Sequence, residues 1–469
     1  MVKAIARNGR WLWIILAYGF AAIAVHMNYN SAYHDEALNV LMGRQLLSGE
    51  FCPGCAQNTG SVLIQPIFAA LGDSVGGLYG ARAVGVPFGL GLTAVVCFTA
   101  RLLFSGTHGI VSAVLFVFTG TVLYLSKLAT YDIISAFFLG LSFLLILLSE
   151  KERNGRLSSA YLFGGASALF LSAMTKYVAA VFIPPFIVYT LWRHGLLKTS
   201  VFFLMPLLLF VGAYFPLAIW PAKDSLFGSS SSVLSETQVP FRTLSSWTLR
   251  WVGMPALLSA FGMFHEEKGK IVFLLVLLSS PIILLHLITG AEQSVNKNVI
   301  YSIIFLTPAA ALGVDHMGSI FSSKSPGTWV KPFFVASVLV VVWAFGIHEL
   351  GWLERQYPNM KPVISFFKDK GFNGMTVTID SDYGDAVYSY ALEKRLPGAL
   401  FYPISGMQKK TSGGRIPDKP DFVILDGYYG KKSLKEAAVA LMGNDYTLVG
   451  DFKIPLSWGV SDVKIFQRR

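Results

Sequence analysis

The sequence predicts a polytopic α-helical membrane protein with a small α/β domain at its C-terminal end. Only 14% of the 469 residues are charged and 54% are hydrophobic, whereas soluble domains carry roughly 25% charged residues. Apolar runs near the roughly 20 residues that a helix needs to cross the hydrocarbon core recur along the chain. From about Gly351 these runs give way to short β-rich and helical stretches in alternation. The net charge of +11 would suit a nucleic-acid binder in a soluble protein. Here it fits loop charge, anionic lipids and phosphate ligands, and no basic motif or aromatic–basic repeat supports nucleic acid.

The first apolar segment, 11–28, follows Lys3, Arg7 and Arg10. No small-residue cleavage site comes after it, so it is expected as a retained helix rather than a signal peptide. Further spans are expected at 78–103, 108–125, 129–149, 158–175, 177–192, 199–220, 248–264, 270–289, 298–317 and 332–349, about eleven in all. The fifth and sixth are short and meet at a tight turn, Thr175-Lys176. With the N-terminus in the cytoplasm, thirteen Lys and Arg of the membrane part fall on the cytoplasmic side and eight on the other, the direction that the positive-inside rule requires. An odd span count then puts the C-terminal domain outside the cytoplasm, with the chain in the plasma (inner) membrane.

Residues 1–350 are thus read as the membrane domain and 351–469 as the α/β domain. In the latter, strands are expected near 375–379, 399–403, 421–425, 446–454 and 461–466, and helices near 385–396 and 432–442. It contains no phosphate-binding glycine loop. Two outer loops of the membrane domain are long, 27–78 and 221–247, the second carrying the flexible run Gly228-Ser229-Ser230-Ser231-Ser232. Function gathers on such loops, so the working face is expected outside.

Three groups of residues can carry chemistry there. Tyr33-His34-Asp35-Glu36 follows the first span, and Asp35 and Glu36 open an amphipathic surface helix over 37–47. The bland reading is a helix cap favoured by the dipole; the functional one is a general base at the membrane edge. Asp132 stands at the outer end of the fourth span, where it either caps the helix or has a partner or a task. Arg82, Lys176 and Lys297 fall on the same side. Such residues snorkel to headgroups or compensate a bound phosphate. Carboxylates that can take a proton and cations that can hold a phosphate, gathered on one face, are what sugar transfer from a lipid phosphate needs.

The order and spacing of these motifs resemble the membrane-embedded glycosyltransferases of the GT-C fold, in particular the protein O-mannosyltransferases and lipid A aminoarabinose transferases. The matching stretches are Asp35-Glu36, Tyr79-Gly80-Ala81-Arg82-Ala83-Val84, Ala129-Thr130-Tyr131-Asp132, Thr175-Lys176-Tyr177 and Asn296-Lys297-Asn298-Val299-Ile300-Tyr301 with Pro308 beyond. The resemblance implies Asp35 as catalytic base with Glu36 beside it, and Asp132 as a residue that holds the acceptor or orders the first loop. Arg82, Lys176 and Lys297 become contacts to the donor phosphate or to the scaffold. The implied partners are a polyprenyl-phosphate-linked sugar donor, an acceptor that is a lipid glycan, a cell-wall polymer or a protein, and the membrane lipids. The family's basic-Pro-Pro segment stands here as Ile64-Gln65-Pro66. No metal is assigned, a divalent cation being compatible with such a site.

Cys52 and Cys55 lie in the first outer loop. Outside the cytoplasm a disulfide is the first expectation for this CxxC pair, then a zinc site, then redox chemistry. Cys97 falls within a span and reads as packing. Two other function classes fit a polytopic chain: a lipid or solute transporter, which would show repeats and mid-membrane charges, and a non-catalytic assembly subunit.

Overall fold

The structure, a computed structural model, describes residues 2–25, 27–49, 63–220, 239–292, 294–323, 329–370, 375–380, 384–392, 399–403, 419–428 and 432–469. Cys52 and Cys55, and 221–238 of the second long loop, lie outside the described residues.

Helix α1 (Val2–Val25) leads to α2 (His34–Ser48) and α3 (Ile64–Ala83). The first long loop is therefore partly helical. Gly76 and Gly77 break α3, with Gly77 at φ 59°, a conformation that an L side chain resists. The chain then continues through α4 (Gly85–Leu103), α5 (Gly106–Val117) and α6 (Gly120–Ser126). Helices α5 and α6 meet at a 69° bend. Gly346 sits against that bend, where an added Cβ would stand 1.7 Å from the Phe118 carbonyl oxygen. The bend turns the chain so that 127–131 run back to α7 (Asp132–Lys151) at the level of α2.

Helix α8 (Gly155–Thr175) ends at Lys176, which is extended, and a 3-10 turn (Tyr177–Phe182) precedes α9 (Ile183–His194). There follow α10 (Leu196–Tyr214), α11 (Phe241–Met263), α12 (Gly269–Thr289), the short α13 (Val295–Asn298), α14 (Ile300–Ser323) and α15 (Val330–Glu354). Among the described residues seven helices are long and apolar enough to cross a membrane, or eight if α5 and α6 form one bent span. The expected count of about eleven is not reached by that measure. Helix α1 is apolar only from Gly9 to Val25, α9 is shortened by the 3-10 turn, and α11 carries Arg242 and Arg250.

Beyond α15 come α16 (Lys361–Lys370), β1 (Thr376–Ile379), α17 (Gly384–Leu392), β2 (Leu400–Pro403), β3 (Phe422–Asp426), α18 (Lys432–Met442), β4 (Tyr446–Leu456) and β5 (Gly459–Arg468). The sheet order is β2-β1-β3-β5-β4. Strand β1 pairs parallel to both β2 and β3, while β5 pairs antiparallel to β3 and β4. Val377, Ile379, Phe422, Ile424, Val463 and Ile465 form its core with Val363 and Phe367 of α16, and Ala32 and Ala37 join the same cluster. The C-terminal part therefore rests on the segment that carries Asp35. The Tyr390 hydroxyl donates to Asp73 Oδ1 at 2.8 Å, Asn30 Nδ2 to the Tyr357 carbonyl at 3.0 Å, and the Met360 N–H to Ser31 Oγ at 3.0 Å.

Candidate active site

The six residues expected at the site form three acid–base pairs: Asp35–Lys297, Asp132–Lys176 and Glu36–Arg82. These pairs divide into two places.

Asp35 lies in the first turn of α2 and Lys297 in α13. Helix α13 starts from Ser294 at φ 62°, a left-handed conformation that costs a non-glycine residue on the order of 1–3 kcal/mol. The turn presents Lys297 and Asn298 together. Lys297 Nζ donates to Asp35 Oδ2 and, at 3.1 Å, to the Tyr33 hydroxyl, which itself donates to Asp35 Oδ2 at 3.2 Å. Burial pushes the Asp35 carboxyl up, but Lys297 and then His34 outweigh it and hold the carboxyl below its ordinary value. Burial pulls Lys297 down; Asp35, Tyr357 and Asp132 outweigh that and hold the ammonium well above its ordinary value.

Asp132 opens α7 and is fully buried, so it is not a solvated cap. Lys176 donates to Asp132 Oδ1 and to Asn298 Oδ1, and is itself buried rather than snorkelling. Asn298 Nδ2 meets His286 Nε2 at 2.9 Å, and the other ring nitrogen of His286 lies 2.8 Å from the Ala291 carbonyl. A consistent tautomer has Nδ1 donating to that carbonyl and Nε2 accepting from Asn298. Asp132 Oδ2 is buried with no hydrogen-bond partner among the described residues. The field at Lys297 includes Asp132 and the field at Lys176 includes Asp35, so these two pairs make one site.

Glu36 and Arg82, expected beside Asp35 and at the donor phosphate or the scaffold, bond each other. Arg82 Nε and Nη2 grip Glu36 at 2.8 and 2.7 Å, and its remaining contacts run to the carbonyls of Met27 (2.8 Å), Asn30 (3.2 Å) and Ser31 (3.1 Å). A guanidinium has about five N–H donors, and all are used. Glu36 also accepts from the Ala129 N–H at 3.0 Å and the Tyr33 N–H at 3.3 Å. Both side chains are buried. This pair bolts the first loop, α2, α3 and the segment before Asp132 together. Lys127, bonded to Glu354, ties that segment to the end of α15.

Asp35 is the one carboxylate of the three that reaches solvent: its side chain is 22% exposed, against 0% for Glu36 and Asp132. The site thus offers an accessible carboxylate facing a nearly buried ammonium, with a second ammonium held in place behind it. Among the described residues no three His, Cys, Asp or Glu side chains gather in a metal-ligating group.

The fold is shared with known proteins. Residues 62–220 match the family model for dolichyl-phosphate-mannose-protein mannosyltransferase. The structure of ArnT from Cupriavidus metallidurans bound to undecaprenyl phosphate is 13% identical, with a TM-score of 0.62 over 97% of this chain and 98% of that one. The chain has the GT-C fold. Two more GT-C structures match: the archaeal oligosaccharyltransferase AglB from Archaeoglobus fulgidus, 11% identical, TM-score 0.56, over 89% of this chain and 70% of that one; and the arabinofuranosyltransferase AftD from Mycobacteria, 14% identical, TM-score 0.53, over 98% of this chain and 41% of that one. No curated protein matches the chain in sequence. On this GT-C frame, residues that the sequence reading did not single out are His286 and Tyr357; Tyr301, the last residue of the matching stretch 296–301, donates its hydroxyl to Ser135 Oγ at 2.7 Å. The available signal for His286 was a polar ring at the end of an apolar span.

Proposed function

We propose that the chain is an inverting glycosyltransferase that moves a sugar from a polyprenyl-phosphate donor to an acceptor hydroxyl. The observation that carries this reading is the Asp35–Lys297 pair, an accessible carboxylate whose partner is a nearly buried ammonium. In support, ArnT has been solved bound to undecaprenyl phosphate and AglB in complex with a dolichol-phosphate, and we carry that ligand class over to this chain.

In the resting site Lys297 occupies Asp35 and lowers its basicity. A donor phosphate competes for Lys297. Once the ammonium turns to the phosphate, Asp35 loses its chief counter-charge, and burial then works in favour of proton uptake. Asp35 takes the proton of the acceptor hydroxyl. That oxygen bonds to the anomeric carbon from the face opposite the phosphate. The carbon–oxygen bond to the phosphate breaks, and its electron pair stays on the lipid phosphate, whose charge Lys297 and Lys176 balance. Asp132 positions Lys176, and its unpaired Oδ2 is an acceptor for a substrate hydroxyl. Glu36 and Arg82 are scaffold.

The test is release of polyprenyl phosphate from a polyprenyl-phosphate-linked sugar by the full chain in nanodiscs, followed against pH. Because Asp35 is held low, wild-type kcat/KM stays level through neutrality and falls only well on the acid side, as the carboxylate is protonated. Lys297→Gln removes the main lowering cause and leaves burial, so the acid limb moves to higher pH. Consumption of nucleotide sugars in place of the lipid donor, or an acid limb that stays where it was, contradicts the reading.

A further inference from the structure

Strand β1 is followed in sequence by α17 and β2 on one side of it, while β3 lies on its other side. Between β1 and β3 the connections diverge, and in open α/β sheets ligands bind outside the carboxyl ends of the strands at such a point. Asp380 follows β1 there and Asp426 ends β3. They are joined by the Asp426 N–H donating to Asp380 Oδ1 at 2.7 Å, and the Tyr388 hydroxyl donates to Asp426 Oδ2 at 3.1 Å. Burial pushes the Asp380 carboxyl up to about 7, against the Asp426 N–H bond, which works to lower it.

The same end of the sheet starts a run of aromatic rings. Tyr428, whose N–H donates to Asp426 Oδ1 at 2.9 Å, lies 6.0 Å from Trp458 on one side and 6.1 Å from Tyr357 on the other. Tyr357 stacks on Tyr33 at 4.3 Å and 19°, and Tyr33 is bonded to Asp35 and Lys297. The rings open outward. Tyr33 is 3% exposed and Trp458 61% exposed, with Tyr357 and Tyr428 half-buried between them. Trp458 is not on a loose tip: it sits in the tight β4–β5 turn, where the Ser457 N–H donates to the Arg355 carbonyl at 2.8 Å. Ser457 Oγ and Ser461 Oγ flank it in sequence, both buried without a hydrogen-bond partner among the described residues.

We infer that Trp458, Tyr428 and Tyr357 form a saccharide-binding track that leads an acceptor glycan to Asp35. A column serving only to join the C-terminal sheet to the membrane part would end buried, whereas this one ends on an exposed tryptophan. Sugar rings present C–H faces that stack on aromatic rings and rims of hydroxyls that need both donors and acceptors. Indole and phenol rings provide the faces together with a polar edge. The phenol and indole edges provide the polar partners, and the buried Asp426, which accepts from the Tyr428 N–H and the Tyr388 hydroxyl, holds Tyr428 in place. A lipid tail would find too many polar groups here, and an extended peptide would find the sheet's edges rather than its carboxyl end. The direction of the track rests on the transfer reaction proposed above; the binding itself does not.

The experiment is a printed array of glycans and peptides probed with the fluorescently labelled full chain in nanodiscs. Wild type is retained by glycan spots. Trp458→Ala weakens that retention about tenfold, and Trp458→Phe stays within about threefold of wild type because a flat face remains. Retention on peptides alone, on no spot at all, or equally by wild type and Trp458→Ala, overturns the track. If glycans are held through Trp458 while Asp35→Asn retains full turnover, the track stands and the assignment of the base falls. If Asp35→Asn loses turnover and no glycan is held, the reverse is true.

Discussion

Asp35→Asn lowers sugar transfer by about 10²–10⁴-fold, the usual contribution of a general base, and leaves the chain folded. Asparagine keeps the size of the side chain and an oxygen that Lys297 and Tyr33 can still donate to. What it lacks is the basicity to take the acceptor's proton. The first turn of α2 loses a negative charge near the helix N-terminus, a cost of about 0.3–1 kcal/mol. Lys297 loses its closest counter-charge but keeps Tyr33 and the field of Asp132. The comparison uses purified variants of equal monodispersity and follows lipid-phosphate release. Near-normal turnover in Asp35→Asn, with loss in Asp132→Asn, would move the base to Asp132.

Arg82→Met has the largest expected effect on stability. Removing one partner of a buried ion pair costs about 3–5 kcal/mol, because the other charge is left buried and unpaired. Here Glu36 would lose both guanidinium bonds, and the carbonyls of Met27, Asn30 and Ser31 would lose their donors as well. Thermal unfolding of the full chain in detergent reads this as a large drop in melting temperature, well beyond that of Asp35→Asn. Adding Glu36→Gln to Arg82→Met recovers part of the loss, since the stranded charge is gone. An Arg82→Met protein that melts like wild type yet fails to bind the lipid donor would return Arg82 to the phosphate site.

The contrast between these two variants shows what the sequence could and could not tell. Residue type and position led to the expectation of Asp35, Glu36, Arg82, Asp132, Lys176 and Lys297 on one face, because ionisable residues near apolar spans need partners or tasks. The pairing was not legible. Which acid meets which cation is set by where α13 begins after Ser294 and by the bend between α5 and α6, and neither is encoded in local periodicity. Glu36 and Arg82 were expected at the site for the same reason as Asp35 and Lys297, and what sets Arg82 apart in the structure is that all its donors are used. The strands β1 to β5 each lie within a few residues of the expected stretches because short β-branched runs bounded by turn residues are a local signal. Most of helix α3 falls in the stretch expected as the first outer loop, and its end in the expected span 78–103, with the break at Gly76 and Gly77 between them. His286 and Tyr357 gain their roles through contacts with residues that become neighbours only in the fold.

We propose that Lys297 is shared between Asp35 and the donor phosphate. A structure of the full chain with a bound polyprenyl phosphate tests it most directly. The phosphate is expected within about 4 Å of Lys297 Nζ, the reach of an ion pair, with Lys176 next nearest, the Asp35–Lys297 bond lengthened, and the Glu36–Arg82 pair unchanged. A phosphate seated on Arg82, or one bound with Lys297 still closed on Asp35 and both lysines out of reach, would contradict it.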